Sequence, residues 1–295
     1  MLPSLARRFV ASPVQRVLSS AFPAAMLQSA LSQEADRLRL AIAAATPGNP
    51  AAAGYQTYSQ TDEDGILEDI FGRIGDGQRT FAEMGCGDGR QNNTHLLLLK
   101  GWRGMWIDGD AERIEFIAGQ FPLATSRLSV MEAFVTRENV VELVTRGLSR
   151  MGAEIGALDL FSLDLDGNDL EILSALLQAG EPRVLCLEYN AKFRLPIEVA
   201  VSYDSAHVWA KDDYHGASLA AILSRISDRY TLVCCNIAGV NAFFARNDLA
   251  GPLSPYPAEV LYQPPRHHLA LMTSGHAASL KFLAASLRGD PSQRG

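Results

Sequence analysis

Phe81-Ala-Glu-Met-Gly-Cys-Gly-Asp-Gly89 is the stretch on which the reading of this chain turns. An apolar run suited to a buried strand reaches an acid, Glu83, and glycines follow at Gly85, Gly87 and Gly89. Glycine admits φ > 0 and lets a ligand lie against bare backbone, while the helix after such a loop offers its N-terminal N–H groups. The spacing predicts a loop for a nucleotide-type cofactor. An acid two residues before the first glycine suits a cofactor carrying an ammonium group, as S-adenosylmethionine does, better than a pyrophosphate. An NAD-dependent oxidoreductase would show Gly-x-Gly-x-x-Gly, whereas here the third glycine arrives one residue early and Arg90 takes the expected place.

Outward from this loop the pattern alternates. Thr61 to Ile74 reads as a helix with Ile66, Leu67, Ile70, Phe71 and Ile74 on one face, opened by a capping-box-like Thr61 and Asp64. Strand-like runs follow at Thr80 to Met84, Gly104 to Asp108, Leu128 to Phe134, Leu158 to Asp164, Arg183 to Glu188, Tyr230 to Cys235 and Asn241 to Ala245. Helical patterns separate the first six. One is Asp169 to Gln178, where Leu170, Leu173, Leu176 and Leu177 share a face before Gly180 and Pro182. This predicts an α/β fold with a doubly wound, mainly parallel sheet. The last two runs are joined only by Asn236 to Val240, too short for a crossover helix, and should form an antiparallel hairpin.

Ligands of open α/β sheets bind beyond the carboxyl ends of the strands, so acids at those ends are the candidates. Glu83 could reach the methionyl amine directly or through water. Asp108, ending the second run, can accept from both ribose hydroxyls, and Asp110 suits a helix cap. Ala133-Phe134-Val135 ends the third run, where Phe134 offers an apolar wall for adenine. Each acid taken singly is also explained as a helix cap or solvated strand end. The combination points to a nucleotide-type cofactor.

The fourth and fifth strand ends carry a second constellation. Leu163-Asp-Leu-Asp-Gly-Asn-Asp169 places Asp164 and Asp166 on one side of an extended segment, and Leu187-Glu-Tyr-Asn190 repeats the spacing with Glu188 and Asn190. These oxygens form a hard ligand set of the kind that holds Mg²⁺. Equally, Asp166, Asn168 and Asp169 are suited to initiating the next helix, and Asn190 to bracing a loop. Without a metal, Asp166 or Glu188 becomes a candidate general base. Between Ala191 and Gly216 a long insertion brings Tyr203, His207, Trp209 and His215, a pattern that reads as a lid or acceptor-binding segment. His207 and His215 are candidate bases toward an acceptor hydroxyl, though loop histidines among aromatics are commonly packing residues.

Three motifs together resemble the FkbM-like branch of class I S-adenosylmethionine-dependent methyltransferases. They are Tyr58-Ser-Gln-Thr-Asp-Glu-Asp64, Gly101-Trp-Arg-Gly-Met-Trp-Ile-Asp108 and the Asp-x-Asp-Gly-Asn-Asp segment. The branch typically reads Ser-Gln-x-Gly-Glu-Asp, Gly-Trp-x-Gly and Asp-x-Glu-Gly there, so Thr61 and Asp166 are departures. The likeness covers roughly Tyr58 to Asp248. It implies a seven-stranded Rossmann-like sheet and O-methylation of a hydroxyl on a small sugar-like or natural-product acceptor. Metal-assisted relatives imply Asp164 and Glu188, then Asn190, as Mg²⁺ ligands. On this reading Glu83, Gly85, Gly87, Gly89, Asp108 and Phe134 bind the cofactor, and Asp166 and His215 are the catalytic candidates. The rival of another class is a non-catalytic scaffold that keeps the fold.

The chain has 295 residues, enough for one α/β body with appendages: an N-terminal helical extension and linker over 1–54, a catalytic body over 55–250, and a C-terminal loop and helix over 251–295. The 33 acids against 26 bases, net charge -7, argue against broad nucleic-acid binding. The four cysteines show neither a disulfide framework nor a zinc spacing, which fits buried thiols in a reducing, cytoplasmic setting. The first 33 residues hold no acid but carry Arg7, Arg8 and Arg16, a composition shared with transit peptides. We read them as a helical extension that packs on the body or on a second subunit, with weak peripheral membrane contact as a further use. No apolar stretch reaches the roughly 20 residues of a membrane span.

Overall fold

The computed structural model describes residues 24–253, 255–271 and 276–288. Arg7, Arg8 and Arg16, with the readings placed on them, lie outside the described residues. Seven strands form one sheet: β1 (Thr80–Met84), β2 (Arg103–Asp108), β3 (Leu128–Glu132), β4 (Leu160–Leu163), β5 (Val184–Glu188), β6 (Tyr230–Cys235) and β7 (Asn241–Arg246). Their order is β3-β2-β1-β4-β5-β7-β6. The pairs β1·β2, β1·β4, β2·β3 and β4·β5 are parallel, while β7 runs antiparallel between β5 and β6. The hairpin is therefore present, and its second strand, β7, is inserted inward so that β6 becomes the edge.

The helices are α1 (Ala24–Ala45), α2 (Glu63–Ile74), α3 (His95–Leu99), α4 (Ala111–Ala118), α5 (Val140–Ser149), α6 (Asp169–Leu176), α7 (Leu219–Ile226), α8 (Ala258–Leu261) and α9 (Lys281–Arg288). Two apolar layers sandwich the sheet. One gathers Phe81, Trp106 and Phe243 under α1, α2, α3, α4 and α9; the other gathers Met84, Met105, Phe161 and Phe244 under α5, α6 and α7. Alternate residues of each strand supply alternate layers, the consequence of the two-residue repeat of extended chain. The four leucines read as one face of α6 are all buried.

Two local expectations change. Helix α2 starts at Glu63, and its N-cap residue Asp62 makes no side-chain capping bond. Asp64 instead accepts the N–H groups of Thr57, Tyr58 and Ser59, while the Thr61 hydroxyl donates to Glu63, so these side chains tie down the preceding turn. The linker end of the 1–54 segment, the Ala/Gly/Pro-rich run from Ala43 to Gly54, is packed: α1 continues to Ala45, and a 3-10 turn at Pro50–Ala53 follows, capped by the Asn49 side chain, with Pro50 and Ala51 buried. Small residues let the chain pass close beneath α2, which composition alone reads as flexibility. The helix expected within 251–295 is α9, whose Leu283, Ala284 and Leu287 are buried.

Candidate functional site

Strands β2 and β4 flank β1 on opposite sides, and the chain reverses its winding there, which opens a crevice beyond their carboxyl ends. A cavity of about 610 Å³ occupies it, within the roughly 300–1,000 Å³ usual for small-molecule sites. Its floor is the glycine loop. Gly85, Gly87 and Gly89 all have positive φ, at 83°, 58° and 76°. Gly85 passes so close to β4 that a Cβ there would overlap the Asp164 carbonyl oxygen, whereas a Cβ on Gly87 would meet open space. The Gly87 N–H donates to Asp108 Oδ2 at 2.8 Å, and the Asp110 N–H donates to Oδ1 at 2.9 Å. Arg113 approaches the same carboxylate at 3.4 Å.

Glu83 lines the cavity, yet its carboxylate is engaged on the protein side. It accepts from the N–H groups of Asn93 (2.8 Å) and Thr94 (3.2 Å) and from the Thr94 hydroxyl, itself the acceptor of Trp106 Nε1–H at 2.8 Å. The acid thus holds the entry to α3, and burial pushes its carboxyl up to about 7. Beside it His95 is buried and stacked on Tyr58, ring centroids 3.8 Å apart. Its Nδ1 lies 2.8 Å from the Gly89 carbonyl, which can only accept, so Nδ1 carries the proton. Burial pushes the imidazole down to about 4 and keeps it neutral. Phe134 stands half exposed on the cavity wall beside Gly109.

On the β4–β5 side, Asp164 and Glu188 meet. Burial first, then the charges of neighbouring carboxylates, pushes both carboxyls up. Asp166 sits in a left-handed conformation, φ 56°, held by Asp169, whose two oxygens accept from Leu165 and Gly167 at 2.8 Å each. Single donor atoms of Asp166, Glu188 and His215 lie within 4.8 Å of one another. Asn190 faces elsewhere. Its amide donates to the carbonyls of Asp213 (3.0 Å) and His215 (3.1 Å), and its oxygen accepts from Lys192, which is the loop brace and not an oxygen ligand set.

The insertion folds over the cavity and contributes His207, Val208 and Trp209 to its wall. Asn168 clamps it, donating to the Asp204 carbonyl at 2.7 Å and accepting from the Asp204 N–H at 3.3 Å. Tyr203 donates to Glu138, with the Arg137 guanidinium 3.9 Å from its ring centre.

Sequence reasoning passed over Gln60, Asn92, Arg113 and Asn241, which also line the cavity. Asn92 is buried with both amide atoms unpartnered, and Asn241 leaves its oxygen free. A signal existed in Gln91-Asn-Asn-Thr94, an amide-rich run directly after the glycines; Asn241 arrives from β7 with no local signal at all. The carboxylates of Glu83, Asp88, Asp108, Asp164 and Asp166 line the cavity, against Arg113 and the His207 imidazole among the described residues.

No protein-family model matches the chain, and no curated protein matches it. Solved structures do. A glycopeptide N-methyltransferase, MtfA, complexed with sinefungin is similar at 13% identity and a TM-score of 0.36, over 63% of this chain and 87% of that one. An S-adenosylmethionine-dependent methyltransferase from Mesorhizobium loti is similar at 14% and 0.36, over 62% and 100%. A TehB-like SAM-dependent methyltransferase from Corynebacterium glutamicum is similar at 16% and 0.33, over 68% and 93%. Values this low assign neither activity nor subfamily, and the functional reading rests on the site.

Proposed function

We propose that the protein is an S-adenosylmethionine-dependent methyltransferase that methylates a hydroxyl of a small acceptor, as the FkbM-like motifs imply. The observation that carries this reading is the make-up of the cavity: five acidic side chains against one guanidinium line a glycine-floored crevice at the strand switch point. Such a lining favours a cationic sulfonium ligand and repels the two phosphates of a dinucleotide. The residues fit the cofactor. Asp108, braced by Gly87, retains lone pairs for ribose hydroxyls, and Phe134 offers a face to adenine. Asn92, with both amide atoms unpartnered, is placed to take the polar end of the methionyl group. Glu83 acts through the Asn93–Thr94 backbone it holds.

The bound cofactor would supply an electrophilic methyl group, so the chain's work is alignment and proton removal. Trp209, Val208 and His207 stand over the crevice and would limit its access to water once an acceptor is bound. With no cation bound, Asp166, flanked by His215, would take the acceptor hydroxyl proton, while the Asp164–Glu188 pair would orient the oxygen.

Calorimetry of the intact protein tests the reading. S-adenosylhomocysteine should bind and NAD should not; heat with NAD alone would overturn it, and binding without turnover on any hydroxylated acceptor would favour a scaffold.

A further inference from the structure

The resemblance assigns Mg²⁺ to Asp164, Glu188 and Asn190, but Asn190 does not fit that set, because its amide is spent on the carbonyls of Asp213 and His215. What those bonds do is fix the backbone of His215, whose imidazole stands with Asp166 and Glu188, donor atoms within 4.8 Å. We infer that Asp166, Glu188 and His215 form a mixed nitrogen–oxygen site for a divalent first-row transition metal such as Mn²⁺ or Zn²⁺.

Three observations support the site. Donor atoms about 2.1 Å from one cation sit roughly 3–4.3 Å apart, so the observed spread closes with small side-chain rotations. Glu188 Oε2 and His215 Nδ1 are both withdrawn from solvent without a hydrogen-bond partner, a costly state that a cation relieves. Each carrier has its own support: Asp169 pins the turn that presents Asp166, and Asn190 pins His215, as outer residues do in built metal sites.

The imidazole sets the metal class. Oxygen-only sites suit Mg²⁺, whereas a nitrogen donor beside two carboxylates favours borderline cations from Mn²⁺ to Zn²⁺. The inference rests on the methyl-transfer reading only for the cation's use, which would be to lower the pKa of an acceptor hydroxyl at the cavity mouth.

Titration of the full chain with Mn²⁺, Co²⁺ and Mg²⁺, each with and without S-adenosylhomocysteine, tests it. Mn²⁺ and Co²⁺ should bind one per chain at least tenfold more tightly than Mg²⁺. His215→Ala should lose at least tenfold in affinity for both while S-adenosylhomocysteine still binds, and Asp166→Asn should lose a similar factor. Should His215→Ala not fold, Zn²⁺ protection of His215 from diethyl pyrocarbonate in the intact protein reads the same contact. Absence of metal binding beside intact cofactor binding overturns the site, as does equal Mn²⁺ and Mg²⁺ affinity with His215 left unprotected. Metal binding without cofactor binding would retain the site and overturn the methyl-transfer reading instead.

Discussion

The backbone N–H of Gly87 donates to the carboxylate of Asp108 at 2.8 Å, joining the glycine loop after β1 to the tip of β2. One side chain thereby sets the height of the cavity floor and keeps its remaining lone pairs toward the crevice. Replacing Asp108 with Ala removes a charged acceptor from two N–H groups and any ligand hydroxyl at once. Hydrogen bonds to charged groups contribute about 1.5–3 kcal/mol each, so S-adenosylhomocysteine affinity should fall roughly 10- to 100-fold in calorimetry. An unchanged affinity would place the cofactor elsewhere.

Gly85 and Gly87 should respond differently to alanine. Both have positive φ, but only at Gly85 would the added Cβ overlap backbone, the Asp164 carbonyl. Gly87→Ala should cost about 1–2 kcal/mol of conformational strain, read by urea denaturation. Gly85→Ala should cost clearly more, since a strand end cannot yield as a side-chain tip does. Equal costs would mean that β4 shifts freely beneath the loop.

The buried acid Asp62 makes stability fall as pH rises. Burial first, then the charge of Glu63, pushes its carboxyl up to about 7 from an ordinary value of 3.8, against the opposing pull of Arg39. Below pH ~4 both folded and unfolded chains are protonated there. Between about 4 and 7 the folded state keeps a proton that the unfolded chain has released, so stability declines across that window. Asp62→Asn should flatten the decline and gain up to about 4 kcal/mol at pH 8, relative to the wild type. A variant whose denaturation profile tracks the wild type from pH 4 to 8 would contradict this.

Asn168 holds the cavity's cover through its paired bonds to Asp204. Asn168→Ala should release residues 200–216, raising their proteolytic cleavage and amide exchange severalfold, because local opening follows the loss of such clamps. S-adenosylhomocysteine affinity should change less than twofold. A cofactor affinity that falls in step with loop exposure would assign the insertion to the donor side.

Much of the architecture was legible along the chain. Short apolar runs alternating with helical periods specify a doubly wound sheet, because each strand must bury two faces and each helix one. The hairpin followed from a connection too short for a crossover, although pairing of β7 with β5 instead of an edge position did not. Local patterns state what a segment can be; strand order depends on which neighbours best cover it.

The site divides along the same line. Residue types and spacing were enough to locate the glycine loop and the acids ending β1, β2, β4 and β5, since these are properties of consecutive residues. Only the tertiary structure decided what each acid faces. Glu83 is turned onto the backbone of Asn93 and Thr94, Asn190 onto the backbone of His215, and Asn241 comes into the crevice from β7. Hydrogen-bond partners and burial arise between segments distant in sequence, so whether a carboxylate braces the fold or meets a ligand is fixed by packing and not by the order of residues.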